Sequence, residues 1–332
     1  MNDLTAVATA VIPPEAVLFL APAALDGQPQ RHIRHPGTPD PTVDVTPCRL
    51  RRVVLDGLPT GLPLIEALSQ ALAAHGVSSA VLRLPEPGNL QLEPFAYVLP
   101  ALSRDPAHAV YFSERHQAPG RVQLLAGAIT VGRRGDQPWL HGHLDWIDLG
   151  AEDGQPTGTR GCGHVLPHEA IVVHADPPVE AWALEGAGFE VVPDEFTRFS
   201  LFKPLAVEPP SPSGDHAHTR PALALRVPPN VDLCLALEAV CRERGIRAAT
   251  VRGGVGSTVG VVFEDGRKVE PFVTETLVNQ GRVVSDAATG ALRAEIDVTL
   301  IDYQGGRHQG RLARGRNPVL VTFELVLELG LA

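Results

Sequence analysis

Apolar and polar positions along this chain follow two rhythms. Leu64, Leu68 and Leu72 recur at helical spacing, and Leu233, Leu237 and Val240 repeat the pattern later in the chain. Most other apolar residues sit in short runs or alternate with polar ones, which predicts strands. Each helical stretch follows a proline-containing turn and ends at a glycine suited to a helix C-cap, Gly76 or Gly245. A strand follows in both places, SSAVLRL or RAATVRG. Residues 58–83 align on 227–252 without a gap, matching Pro59 to Pro228, Leu64 to Leu233 and Arg83 to Arg252. A repeat on this scale decides the fold before any single element does.

Past the helices the copies match more loosely. AVYFSE and VGVVFED both read as strands, RVQLLAGAITV resembles ETLVNQGRVV, and WLHGHLDWID lines up with RAEIDVTLID and GCGHVLP with HQGRLAR. The predicted class is α+β, with each unit a mostly antiparallel sheet packed with one main helix. Residues 204–221, rich in proline and serine, read as a linker in which His216 and His218 are solvated. The expected organisation is an N-terminal extension over 1–46, a first unit over 47–206, a Pro-rich linker over 207–219 and a second unit over 220–332.

Composition narrows the setting. The 332 residues contain 32 glycines and 31 prolines, favouring many turns and little long helix. The formal charge of −10 argues against a phosphate backbone as the main partner. Four scattered cysteines suit a reducing cytoplasm better than a disulfide scaffold. The N-terminus lacks a basic start, and no apolar run approaches the ~20 residues that span a bilayer. The expectation is a soluble, cytoplasmic protein.

The chemistry gathers in PWLHGHLDWID, where His141 and His143 flank one glycine. Residues two apart in a strand share a face, so His141, His143 and Asp145 project together, opposite Leu140, Leu144 and Trp146. Imidazoles in a core need partners. A metal ion, a bound acid or backbone hydrogen bonds would each serve.

The Gly-rich RGGVGS after the second helix, the His-Gly-His strand and the segment Gly161-Cys162-Gly163-His164-Val165 together resemble the plants and prokaryotes conserved (PPC) domain family. The resemblance covers nearly the whole chain as two tandem copies, good in the first and eroded in the second. It implies compact α+β domains that assemble into trimers, with a metal ion, zinc expected, on His141, His143 and His164. In plant members the domain is fused to DNA-binding hooks. If residues 161–165 pair with the histidine strand, His164 enters the same space. Three imidazoles leave a coordination position open for water or substrate. Cys162 is a candidate fourth donor, and Asp145 and Asp148 are candidate acceptors for a ligand's free N–H.

Loop residues Glu114, His116 and His168 are the candidate catalytic groups, with His168 best placed, four residues after His164. The second copy puts Glu295, Asp297 and Arg311 where the first has the three histidines, a self-neutralising set that needs no metal. RGGVGS lacks the following helix and Lys-Ser/Thr of a phosphate loop, and ARGRNP reads as a turn rather than a minor-groove hook. The functional expectation is a zinc-dependent lyase, isomerase or hydrolase acting on a small polar, carboxylate-type metabolite. The rivals are a non-catalytic ligand-binding or scaffolding oligomer, whose ion a fourth donor such as Cys162 or His168 would close off, and a DNA-binding protein.

Overall fold

The computed structural model describes residues 10–84, 90–150, 158–176, 179–208 and 219–330. His216 and His218 lie outside them. The two predicted helices span Leu64–Ala73 and Leu233–Glu243, and each buries the apolar stripe read from its spacing. Asp232 caps the second by accepting from Leu235 N at 2.9 Å. Beyond the helix ends Gly76 and Gly245 take φ values of +69° and +66°, a left-handed conformation that glycine adopts without strain.

Strand order repeats between the units. In the first, strands run Asp44–Leu55, Val179–Glu185, Ala80–Leu84, Val122–Arg134, Gln137–Asp148, Arg160–Ala175 across the sheet. In the second, the same places are taken by Thr219–Val227, Val319–Leu329, Ala248–Val262, Lys268–Ser285, Leu292–Asp302 and Arg307–Arg311. The two first-place strands pair antiparallel from Thr219↔Arg51 to Arg226↔Asp44, so one continuous, mainly antiparallel sheet runs through both units. Each helix covers its own core, one around Leu68 and Phe95, the other around Leu237 and Phe323. The faces away from the helices meet each other, where Ala126, Ala128 and Cys162 pack on Val255, Leu277 and Ile301.

AVYFSE and VGVVFED both contribute strands, in different places. Val110–Phe112, in AVYFSE, pairs with Pro100–Leu102 in a separate hairpin, whereas VGVVFED continues the Ala248–Val262 strand. That long strand corresponds to Ala80–Leu84. A short alternating run shows that a strand exists but not which strand it joins.

The glycines of RGGVGS sit within that long strand. Pairing with Val319–Leu329 breaks between Arg252 and Val255, and Gly253 and Gly254 take φ of +65° and +114°. A Cβ on Gly253 would lie 2.7 Å from Val81 Cβ of the first unit. A close approach between the units therefore occurs here within one chain. ARGRNP is a turn, held by Arg314 donating to both Glu238 carboxylate oxygens at 2.6 and 2.5 Å. Before the first unit, the hairpin of Leu18–Pro22 and Pro29–Ile33 lies on the second, where the Asn230 amide exchanges two hydrogen bonds with the Ile33 backbone.

Candidate metal centre

The register places the histidines. His143 stands directly opposite His164 across the two neighbouring strands, and His141 is two residues along on the same face. Their ring centroids are 4.9, 5.0 and 5.3 Å apart. Leu140, Leu144 and Trp146 point the other way, into the first unit's core.

The second unit closes over this face. Glu275 brings Oε2 to 2.5 Å from His143 Nε2. One donor atom from each of His141, His143, His164 and Glu275 lies within 4.8 Å of all the others, which makes the cluster able to hold a metal ion. Glu324, fully buried, contacts His141 Nδ1.

Hydrogen bonds determine which nitrogens carry protons. His143 Nδ1 lies 2.9 Å from the Thr276 carbonyl, which can only accept, so that nitrogen donates. In a neutral ring Nε2 is then a bare acceptor. His141 Nδ1 donates likewise to Glu324, turning its own Nε2 inward. The two Nε2 atoms are 3.2 Å apart, with the Glu275 carboxylate alongside. Acceptors gathered this closely repel one another unless a cation or a proton lies among them.

Two further atoms fit that reading. His164 Nδ1 and Glu324 Oε2 are buried with no hydrogen-bond partner among the described residues. One proton between His143 and Glu275 would leave both unsatisfied. A 3.2 Å separation also matches the edge of about 3.4 Å between nitrogens sharing a tetrahedral zinc at 2.0–2.1 Å. Burial, reinforced by the neighbouring His141 and His143, holds the His164 pKa well below the usual imidazole value, keeping its lone pair free. Burial would lower His141 too, but the Glu324 and Glu275 carboxylates outweigh it and raise its pKa.

The other candidates are placed differently. Cys162 lies in the contact between the units, its thiol pKa pushed up by burial, and the residue that joins the three histidines in the candidate cluster is Glu275 instead. Asp145 accepts from Arg307 and Arg160, and the acceptor for a ring N–H is Glu324. His168 is exposed at the rim of a cavity of about 330 Å³ whose lining includes His141, His164, Glu275 and Glu324. Glu114 and His116 are not among its lining residues. His116 stacks on Tyr97 at 5.4 Å, because Ala96 and Tyr97 pair with its two-residue strand at the sheet's end.

In the second unit Asp297 stands opposite Arg311, as His143 stands opposite His164. Arg311 grips both Asp297 oxygens at 2.9 Å, with Glu295 at 3.7 Å, so a guanidinium fills this position. It also holds the Asp297 carboxyl below its usual pKa.

Neither Glu275 nor Glu324 stood out as a site residue in the sequence. The available signal was an acid inside an otherwise apolar strand, TETLV and VTFELV.

No protein-family model and no curated protein matches the chain. Among solved structures, a plant- and prokaryote-conserved (PPC) protein from Pyrococcus horikoshii aligns at 15% identity and a TM-score of 0.32, covering 51% of this chain and 100% of its own. A metal-containing protein from Archaeoglobus fulgidus aligns at 18% identity and 0.32, covering 52% and 100%. One from Ralstonia eutropha, described as a candidate DNA-binding protein, aligns at 13% identity and 0.31, covering 46% and 88%.

Proposed function

We propose that this chain is a metal-binding protein of two tandem PPC-like units, in which His141, His143 and His164 hold a divalent cation at the floor of a ligand cavity. The observation that carries the reading is the meeting of inward-facing acceptors, Nε2 of His141, Nε2 of His143 and the Glu275 carboxylate, beside a His164 nitrogen with no partner among the described residues. Imidazoles with one carboxylate suit zinc.

An ion so held supplies Lewis acidity and lowers the pKa of a bound water. The chain's own residues do the rest. Glu324 and the Thr276 carbonyl fix the ring orientations of His141 and His143. A small, carboxylate-type metabolite enters from the cavity with its head toward the ion. His168 at the rim exchanges protons with solvent, and the reaction is of lyase, isomerase or hydrolase type. The PPC resemblance also supports a cytoplasmic homotrimer, which light scattering tests.

Glu275 favours a second reading. A fourth protein donor from the other unit makes the ion a structural tie and the protein a non-catalytic binding module. Metal analysis tests both: about one zinc per chain is expected in the wild type and none in His143→Ala. Two per chain, or none in the wild type, rejects the site. Glu275→Ala separates the readings, since an open three-histidine site keeps its zinc and a tie loses it.

DNA binding is third. The net charge of −10 weighs against it.

A further inference from the structure

The walls of the cavity describe a ligand different from the polar metabolite that the histidines alone suggest. One wall is aromatic: Tyr111 and Phe199 lie nearly parallel at 5.9 Å, and Phe112 packs on His164 at 4.9 Å. Val273, Leu320 and Val321 of the second unit line the same space. Among the described lining residues there is no lysine or arginine. The other polar groups are the hydroxyls of Tyr111, Ser200, Ser257 and Thr322 and the indole N–H of Trp139, with His168 and Glu169 exposed at the rim.

With no lysine or arginine on the described walls, the strongest counter-charge for a ligand is the ion at the floor. There Glu275 and Glu324 already set two carboxylates against the ion. A second negative charge on the ligand would meet no lysine or arginine on the described walls, only uncharged hydroxyl and indole donors and the rim imidazole of His168, and would carry a desolvation cost those groups offset only in part. A flat ring between the aromatic and aliphatic walls, by contrast, buries apolar area on both faces. The volume, about 330 Å³, is at the small end for ligand sites.

We infer that the cavity takes a small ring-bearing monoacid: an apolar aromatic body between the two walls and a single carboxylate directed at the metal. This rests on the metal-site reading and adds to it the body and charge of the ligand. Polyanions, including phosphate esters and dicarboxylates, are disfavoured by the same walls.

The test uses the full chain, first confirmed to carry one zinc, with benzoate, acetate and succinate titrated separately by calorimetry. Benzoate is expected to bind at least about tenfold more tightly than acetate, the difference coming from buried ring area. Succinate is expected to bind no better than acetate. In Phe199→Ala, which removes no member of the candidate metal cluster, the benzoate advantage shrinks while zinc content stays at the wild-type level. Equal affinities for benzoate and acetate, or a preference for succinate, on zinc-loaded protein overturn the ligand class and leave the metal site standing. Protein that takes up no zinc overturns both.

Discussion

Arg307 of the second unit reaches across to Asp145 of the first and forms a two-pronged pair, Nε to Oδ1 at 2.8 Å and Nη2 to Oδ2 at 2.7 Å. Asp145 is fully buried and lies two residues from His143 on the metal-site face. A carboxylate in that position needs a cation, and the nearby Arg160, at 3.4 Å, supplies only part of one. Arg307→Ala should therefore destabilise the chain by about 2–4 kcal/mol, because it strands a buried charge. Arg307→Ala combined with Asp145→Asn should recover part of that loss. Urea denaturation of the two variants checks this, and equal stability of wild type and Arg307→Ala would show the pair to be incidental.

Glu324 acts on the metal through His141. Its carboxylate holds the Nδ1 proton and keeps Nε2 directed inward. Glu324→Gln preserves an oxygen acceptor but removes the charge that makes the imidazole a better donor. Zinc affinity, measured by chelator competition, should fall about 10–100-fold while one ion per chain is still bound at saturation. An unchanged affinity would mean that Glu324 merely fills space.

How much of this was legible in sequence depends on the range of each signal. The helices and their glycine stops were legible because each is encoded within a few residues, and the tandem repeat because the same local pattern recurs at 58–83 and 227–252. Matching WLHGHLDWID with RAEIDVTLID also anticipated the register, since His143↔His164 and Asp297↔Arg311 occupy the same ladder position. The acids over the histidines were not legible. Alternation shows that Glu275 and Glu324 share a face with their strand neighbours, but nothing local says that this face meets another sheet. For the same reason Asp145 was read as serving the histidines, when it serves an arginine far along the chain.

The contact between units makes a specific demand at Gly253. Its left-handed φ of +65° disfavours any side chain, and a Cβ there would press on Val81 at 2.7 Å. Gly253→Val should cost roughly 2–4 kcal/mol, combining backbone strain with overpacking. Val81→Ala in the same background should recover only the packing share, because the strain remains. Thermal unfolding of the single and double variants distinguishes the two contributions. Full recovery would show that steric contact alone is at stake.

Stability should also fall in mild acid for a reason unconnected with the metal site. His35 is buried, with Nε2 donating to the Leu320 carbonyl at 2.7 Å and Nδ1 without a hydrogen-bond partner among the described residues. Burial lowers its pKa from 6.5 to about 4, against smaller upward pulls from the Leu320 carbonyl and Asp194, while His108 adds to the lowering. The folded chain therefore binds this proton less readily than the unfolded chain does. The contribution is fully present above pH 6.5 and is lost as pH falls toward 4, amounting to about 3 kcal/mol at 1.36 kcal/mol per unit. His35→Gln keeps a donor for Leu320 and cannot titrate. Between pH 6.5 and 4 the wild type should lose about 3 kcal/mol more than this variant in denaturant titrations. Parallel losses in the two proteins would mean that the imidazole does not remain neutral when buried.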